Sequence, residues 1–433
     1  MLIFPSITML DIQLFREHPE IILKNLEKRK DSEKLKWVDE VIKLDSEWKK
    51  RKAGLDSLRA ERNKVSMEIN ALKKAGKDAS KQIKKAASLP KEIAEEEKLV
   101  FDAEEKLRNY LMRMPNVLHE SVPYGKDDSE NEEVRKWGKI TKPAFELKTH
   151  IEIAEKLGAD FERATKISGN GWFVLTGEIA LLEQAIARFA IDMMVKKGYT
   201  LFLPPLMMKR KPYEGVTDLS DFEKVMYKAE NEDEYLIATS EHPMAAFYMN
   251  ETIHEKQLPI KFLGYSQCFR KEIGAHGIDT KGLFRRHQFN KVEQFVFCRP
   301  EDSWKLHEEL IKNAEEIFKA LEIPYRVVNI CTGDIGTVAA KKYDIEAWLP
   351  RQGKYGEVVS CSNCTDYQAR RLNIKCGKEG GEKRVLHTLN STAVATSRAL
   401  VAVLENYQNK DGTVTVPKVL VPYMNKSKVL GKK

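Results

Sequence analysis

Between Trp37 and Leu72, positions 37, 41, 44, 48, 51, 55, 58, 62, 65, 69 and 72 advance by steps of four and three, and nine of the eleven residues are apolar. A seam of that period is buried only when the segment is one long helix lying along a partner. Arg51 and Arg62 are its two basic interruptions. Ala75-Gly76-Lys77-Asp78 then reads as a turn, and Ile93, Val100, Ala103, Leu107, Tyr110 and Met114 mark the seam of a second helix. Pro90 is expected to kink or start that helix, because proline lacks the N–H of the helical ladder and crowds the preceding turn. Met114-Pro115-Asn116 ends it. Two long helices joined by a short turn lie antiparallel, so the segment from about 30 to 114 reads as a hairpin of coiled coil.

The hairpin is also where the charge sits. The chain of 433 residues has a net charge of +8, and from Lys49 to Lys85 it carries 13 Lys and Arg against 4 Asp and Glu. That stretch holds more than the whole excess, which suits a polyanionic partner. The same pattern fits a dimerisation coiled coil whose lysines are simply solvated, and spacing alone leaves both readings open.

A composition 42% hydrophobic and 32% charged describes a folded, soluble protein of two or three domains and excludes a disordered or collagen-like chain. No run approaches the roughly 18 apolar residues of a membrane span. Met1–Leu10 has no basic leader or cleavage site, so no signal peptide is read there; Met9 makes a natural start, with the first eight residues an extension. Six cysteines in so long a chain suit reduced thiols and a cytoplasmic location.

After an acidic linker (125–133), a helix at Gly177–Lys197 alternates with β-branched or aromatic runs at Tyr199–Leu203, Tyr235–Ala238, Ile260–Phe269, Gln294–Cys298, Tyr325–Ile330 and Glu357–Ser360. This mixture reads as one α+β domain with a mainly antiparallel sheet. Neither a Walker loop nor a Gly-x-Gly-x-x-Gly turn after a strand is present. Instead, Phe269-Arg270-Lys271-Glu272-Ile273-Gly274 is followed by Gly282-Leu283-Phe284-Arg285-Arg286-His287-Gln288-Phe289 and Val292-Glu293. Strand alternation would put Arg270 and Glu272 on one face and Lys271 on the other, with a loop through Gly274 and Gly277 leading to an antiparallel return strand. Arginine forks, a carboxylate and a phenyl ring are the parts of a nucleotide site, although an isolated Arg-x-Glu is more often a cross-strand salt bridge.

Taken together, these residues resemble motif 2 of the class II aminoacyl-tRNA synthetases. Gly198-Tyr199-Thr200-Leu201-Phe202-Leu203-Pro204-Pro205 resembles their motif 1, at the dimer interface. Within the class the chain is similar to the seryl-tRNA synthetases, on Thr239-Ser240-Glu241, Arg285–Glu293, Glu357–Arg371 and Thr388-Leu389-Asn390, and on the basic hairpin with Leu58–Lys64. The run Asn390–Arg398, with Ala and Ser where motif 3 usually has Gly, looks like the archaeal and eukaryotic branch.

The resemblance implies a class II antiparallel sheet flanked by helices (121–433) behind an N-terminal tRNA-binding domain (1–120). It implies ATP-dependent ligation of L-serine to tRNA-Ser through a seryl-adenylate by a homodimer, with tRNA-Sec as a further candidate substrate. Arg270, Glu272, Arg285 and Arg398 are the implied catalytic residues. ATP would be held by these four with Lys271, Arg286, Phe289 and Glu357-Val358-Val359-Ser360, and Mg²⁺ by Glu357 and Ser360. Serine would meet Thr239, Ser240, Glu241, Arg270, Glu293, Asn390 and Thr392. Arg51, Arg59, Arg62, Lys64, Lys73 and Lys74 would meet tRNA. Cys361-x-x-Cys364 with Cys376 and His387 has some zinc-site spacing but no second Cys-x-x-Cys, and is not read as a metal site. His276 and His287 receive no role.

Overall fold

The computed structural model describes residues 11–432 apart from 142, 273–281 and 379, and the side chains of 220 and 221. The chain divides into two compact units, Met1–Met114 and Pro115–Lys433. The first contains α1 (Ile12–Glu17), α2 (Pro19–Lys28), α3 (Ser32–Lys74) and α4 (Ser80–Arg113).

The heptad seam becomes the contact between α3 and α4. Val41, Leu55 and Val65 are buried on one helix and Leu89, Ile93, Val100, Ala103 and Leu107 on the other. Ion pairs from Arg51 to Glu96 (3.6 Å), from Arg59 to Glu97 (2.8 Å) and from Lys85 to Glu61 cross the hairpin, and the step from Arg51–Glu96 to Glu61–Lys85, forward on α3 and backward on α4, marks its antiparallel register. At the base, Phe15, Ile22 and Leu26 of the short helices close over Val38, Val41 and Leu111. There Asp45 is buried and takes a two-pronged bond from Arg16, at 2.8 and 2.6 Å. Burial pushes the Asp45 carboxyl up, but Arg16 and then Lys49 outweigh it and hold it below its ordinary value.

Pro90 neither starts nor ends a helix: α4 begins ten residues earlier and runs through it. Leu89 and Ile93 are both buried, so packing on either side of the proline offsets the missing hydrogen bond. Arg62, placed by spacing in the seam, is exposed. The first ten residues, including the Met9 start, lie outside the described residues, as do Gly274, His276 and Gly277.

The second unit is built on eight strands, β1 (Glu132–Trp137), β2 (Thr200–Phe202), β3 (Ile260–Phe269), β4 (Gln288–Cys298), β5 (Tyr325–Asn329), β6 (Lys341–Leu349), β7 (Lys354–Thr365) and β8 (His387–Ala395). Their order is β1-β5-β6-β7-β8-β4-β3-β2, antiparallel except for the β2–β3 pair. Helices α5 (Gly177–Lys196), α6 (Ser303–Ala320) and α7 (Thr396–Asn406) bury one face of the sheet, where Ile186, Leu310 and Leu400 share a core with Val292, Val296, Val359 and Leu389. Phe262, Phe295 and Phe297 point the other way, into a second core with Met244 and Leu372.

This is the expected α+β architecture, with differences in detail. The acidic linker gives way at Glu132 to β1, an edge strand so exposed that no apolar alternation marks it. β6 and β8 were not expected, and β4 starts six residues before Gln294. A bulge between β6 and β7 matters most for the chemistry. Ile345 pairs with Val359 but Glu346 pairs with Glu357, so Val358 is an extra residue.

Candidate active site

On the sheet face away from α5–α7, a cavity of about 510 Å³ is walled by β4, β7, β8, the first turn of α7 and the segments Val216–Phe222 and Ile335–Ala339. Strict alternation would send Glu357 and Ser360, three residues apart, to opposite faces. The Val358 bulge brings both into the cavity. The arginine expected at the end of motif 3, Arg398, enters from α7 and donates from Nη1 to Glu357 Oε1 at 2.8 Å. Its guanidinium also lies 5.4 Å from the Phe284 ring centroid.

Arg270 and Glu272 do reach the cavity together, but not by strand alternation. β3 stops at Phe269, and Glu272 turns back in the left-handed region with φ of 47°. Arg270 lies over the Phe289 ring, 5.4 Å from its centroid, and Glu272 Oε2 is 3.6 Å from Arg285 Nη1. His287 holds the turn, its Nδ1 lying 2.9 Å from the Arg270 carbonyl and 2.8 Å from the Tyr227 hydroxyl.

The opposite end of the cavity is a small polar notch. Glu241 Oε1 accepts from Gln368 Nε2 at 2.9 Å and from Asn390 Nδ2 at 3.1 Å. Glu293 Oε2 lies 2.7 Å from Lys291 Nζ, and Thr392 stands directly across from Glu293 on β8. Burial, reinforced by the neighbouring Glu293, pushes the Glu241 carboxyl up to about 7. Burial raises Glu293 as well, against the pull of Lys291. His242 is pushed down to about 3 by burial and by the cations Lys291 and Arg270. Two carboxyls held above their ordinary range in a closed notch are a ready seat for a ligand ammonium.

Of the expected ATP and serine residues, the cavity gathers Thr239, Glu241, Arg270, Glu272, Arg285, Arg286, Phe289, Glu293, Glu357, Val358, Ser360, Asn390, Thr392 and Arg398. Three are not among its lining residues. Lys271 extends over the Tyr227 ring, 5.8 Å from its centroid, and Val359 points into the helix-side core. Ser240 is fully buried against Gly264, where any Cβ would lie 2.5 Å from its Oγ. Arg286 lines the wall, but its guanidinium sits 4.9 Å from the Phe161 centroid, where burial lowers it to about 10.

Lys291, Lys342, Phe284 and His242 also line the cavity and were missed. For Lys291 a signal existed, since it lies two residues from Glu293 on one strand and so shares its face. Cys361 joins the helix-side core while Cys364 lines the cavity, so the Cys-x-x-Cys pair diverges. The oxygen donors Glu357 and Ser360 share one wall, which fits a hard divalent cation that brings further ligands with it.

In the first unit, Arg62, Lys64, Lys73 and Lys74 are exposed near the tip, whereas Arg51 and Arg59 are engaged by Glu47, Glu96 and Glu97.

Known proteins match both units. The seryl-tRNA synthetase N-terminal domain matches residues 9–118, and the class II tRNA synthetase core domain (G, H, P, S and T) matches residues 223–407. The serine–tRNA ligase of Methanocorpusculum labreanum is 60% identical over 420 residues, covering 96% of this chain and 99% of its own. The crystal structure of seryl-tRNA synthetase from Pyrococcus horikoshii complexed with ATP superposes with a TM-score of 0.90 at 50% identity, covering 98% of this chain and 99% of that one. The cytoplasmic serine–tRNA ligase of Naegleria fowleri in complex with AMP gives 0.85 at 38% identity, covering 98% of each. With matches of this extent over both the hairpin and the catalytic sheet, the chain belongs to the seryl-tRNA synthetase family.

Proposed function

We propose that this chain activates L-serine with ATP and transfers the seryl group to tRNA-Ser. The serine carboxylate attacks the α-phosphorus, pyrophosphate leaves, and a ribose hydroxyl of the tRNA then displaces AMP from the seryl carbonyl. No covalent enzyme intermediate is needed, so positioning and charge neutralisation supply the rate.

The observation that carries this reading is the two-ended cavity, cationic at Arg270, Arg285 and Arg398 and carboxylate-lined at Glu241 and Glu293. Arg270 neutralises the α-phosphate as charge builds there. Glu272 accepts from the adenine amino group and Phe289 offers its ring to the base. Arg285 and Arg398 hold the outer phosphates. Glu357 and Ser360 would hold Mg²⁺, which when bound supplies charge neutralisation on those phosphates. Glu293 and Glu241 take the serine ammonium, with Thr239 and Thr392 beside them and Asn390 orienting Glu241. A notch that hydrogen-bonds the serine hydroxyl rejects alanine, because its own polar groups would otherwise stay unpaired.

The exposed lysines and arginines at the hairpin tip suit the tRNA backbone. Leu201, Leu203, Leu206 and Phe247 are exposed around edge strand β2, which supports a homodimer formed at that end of the sheet. Among the described residues no helix is long and apolar enough to cross a membrane, and a cytoplasmic enzyme is the reading adopted.

Serine-dependent ATP–pyrophosphate exchange, run beside the other amino acids, tests the proposal. Serine alone should support exchange, and Arg270→Ala should abolish it in a folded protein. Equal exchange with alanine would overturn the assignment.

A further inference from the structure

Outside the residues that line the cavity, one buried imidazole ties together the two chain segments that carry its nucleotide end. His150 opens the helix His150–Lys156, whose start is fixed by a reciprocal cap between Thr149 and Glu152. Its side chain is directed inward and buried. His150 Nε2 accepts from the Leu283 backbone N–H at 3.3 Å. An amide can only donate, so Nε2 carries no proton and the ring proton belongs on Nδ1. Nδ1 lies 3.5 Å from Glu405 Oε1 on α7. The other oxygen of Glu405 is engaged by the Arg351 backbone N–H at 2.9 Å.

What lies at each end makes this bridge functional rather than merely cohesive. Leu283 is followed by Phe284 and Arg285, both in the cavity wall. Glu405 is seven residues, two helical turns, after Arg398 on the same helix, so the two share a face. The ring packs so closely that Gly282, with φ of 81°, could not carry a side chain: a Cβ there would lie 2.1 Å from His150 Nε2. Arg398 in turn lies over the ring of Phe284. Glu405–His150–Leu283 on one side and Arg398–Phe284 on the other therefore join α7 to the return limb of motif 2 at two points.

We propose that His150 is a positioning residue for ATP: held by Glu405, it sets Phe284 and Arg285 at the correct distance from Arg398. The inference rests on the function proposed above. It does not touch the serine notch, where Glu241, Glu293, Asn390 and Thr392 are held by Gln368, Lys291 and the β4–β8 register.

The test is pyrophosphate exchange by the full-length protein, with KM measured separately for ATP and serine. Wild-type protein must first exchange with serine; if it does not, the function reading fails and not this inference. His150→Ala should raise the KM for ATP by about tenfold, as misplacement of a positioned group does, with the KM for serine within about twofold. His150→Gln, whose amide oxygen can accept from Leu283 while its NH₂ faces Glu405, should recover most of the loss. If His150→Ala does not fold, Glu405→Gln carries the test. Its single amide oxygen cannot serve both Arg351 and the imidazole, so the KM for ATP should rise about fivefold, the factor given by the loss of one polar contact worth about 1 kcal/mol. An unchanged KM for ATP in the folded variants, equal rises in both KM values, or no recovery with glutamine would overturn the proposal.

Discussion

Arg398 Nη1 donates to both the carboxylate and the main-chain carbonyl of Glu357, at 2.8 and 3.2 Å. The residue proposed to hold phosphates is thus paired with the residue proposed to bring Mg²⁺ to them. Burial pushes Glu357 up, but Arg398 first and then Lys342 outweigh it and hold it ionised. Glu357→Gln keeps the shape and removes the charge. It should lower serine-dependent exchange by about 10²–10³-fold and raise the Mg²⁺ concentration needed for half-maximal rate. A titration of exchange against Mg²⁺ checks this, and a wild-type profile would refute the role of Glu357.

Glu241 makes a prediction about pH. Its folded carboxyl is raised to about 7 by burial and by Glu293, above its ordinary value of 4.5. Between those two values the folded state binds more protons than the unfolded state. This contribution to stability is complete below about 4.5 and is lost as pH rises through about 7; it is worth about 3 kcal/mol at most. Glu241→Gln can still accept from Gln368 and Asn390, so it should flatten the fall in thermal midpoint between pH 5 and 8. A serine ammonium seats best on the ionised carboxylate. In the wild type the KM for serine should accordingly drop as pH rises through about 7, and a pH-independent KM would count against Glu241.

The hairpin should separate the two half-reactions. Arg62 and Lys64 are exposed, whereas Arg59 is already engaged by Glu97. Reversing the charge of Arg62 and Lys64 together should raise the KM for tRNA by about tenfold or more at physiological salt, leaving exchange within about twofold. Reversal of Arg59 should cost less, since its lost partner lies within the protein. A parallel loss of exchange and charging would remove the hairpin from tRNA binding.

Pro90 offers a stability test. It lies inside α4 with Leu89 and Ile93 buried beside it, so the packing is in place while the ladder lacks a bond. Pro90→Ala restores the donor and should stabilise the hairpin by up to about 3 kcal/mol. Calorimetry should show a higher midpoint, and a lower one would mean that the proline is required for the packing.

The hairpin and the family signature were legible in the residues because both are written locally. A seam of period 3.5 needs only one chain segment to declare itself, and Arg270-x-Glu272 or Asn390–Arg398 are contiguous runs. What crosses the sheet was not legible. Edge strand β1 is exposed along nearly its whole length, so no apolar alternation sets it apart from the acidic linker before it. Whether Glu357 faces the cavity depends on one extra residue, Val358, whose presence as a bulge is set by the pairing with Ile345 and Glu346. Glu241 meets Asn390 across 149 positions, and His150 meets Leu283 across 133. Local sequence dictates which groups are available and their period along the chain. Only the register between strands, chosen by burial of two opposite faces at once, decides which of them converge on the same few ångströms.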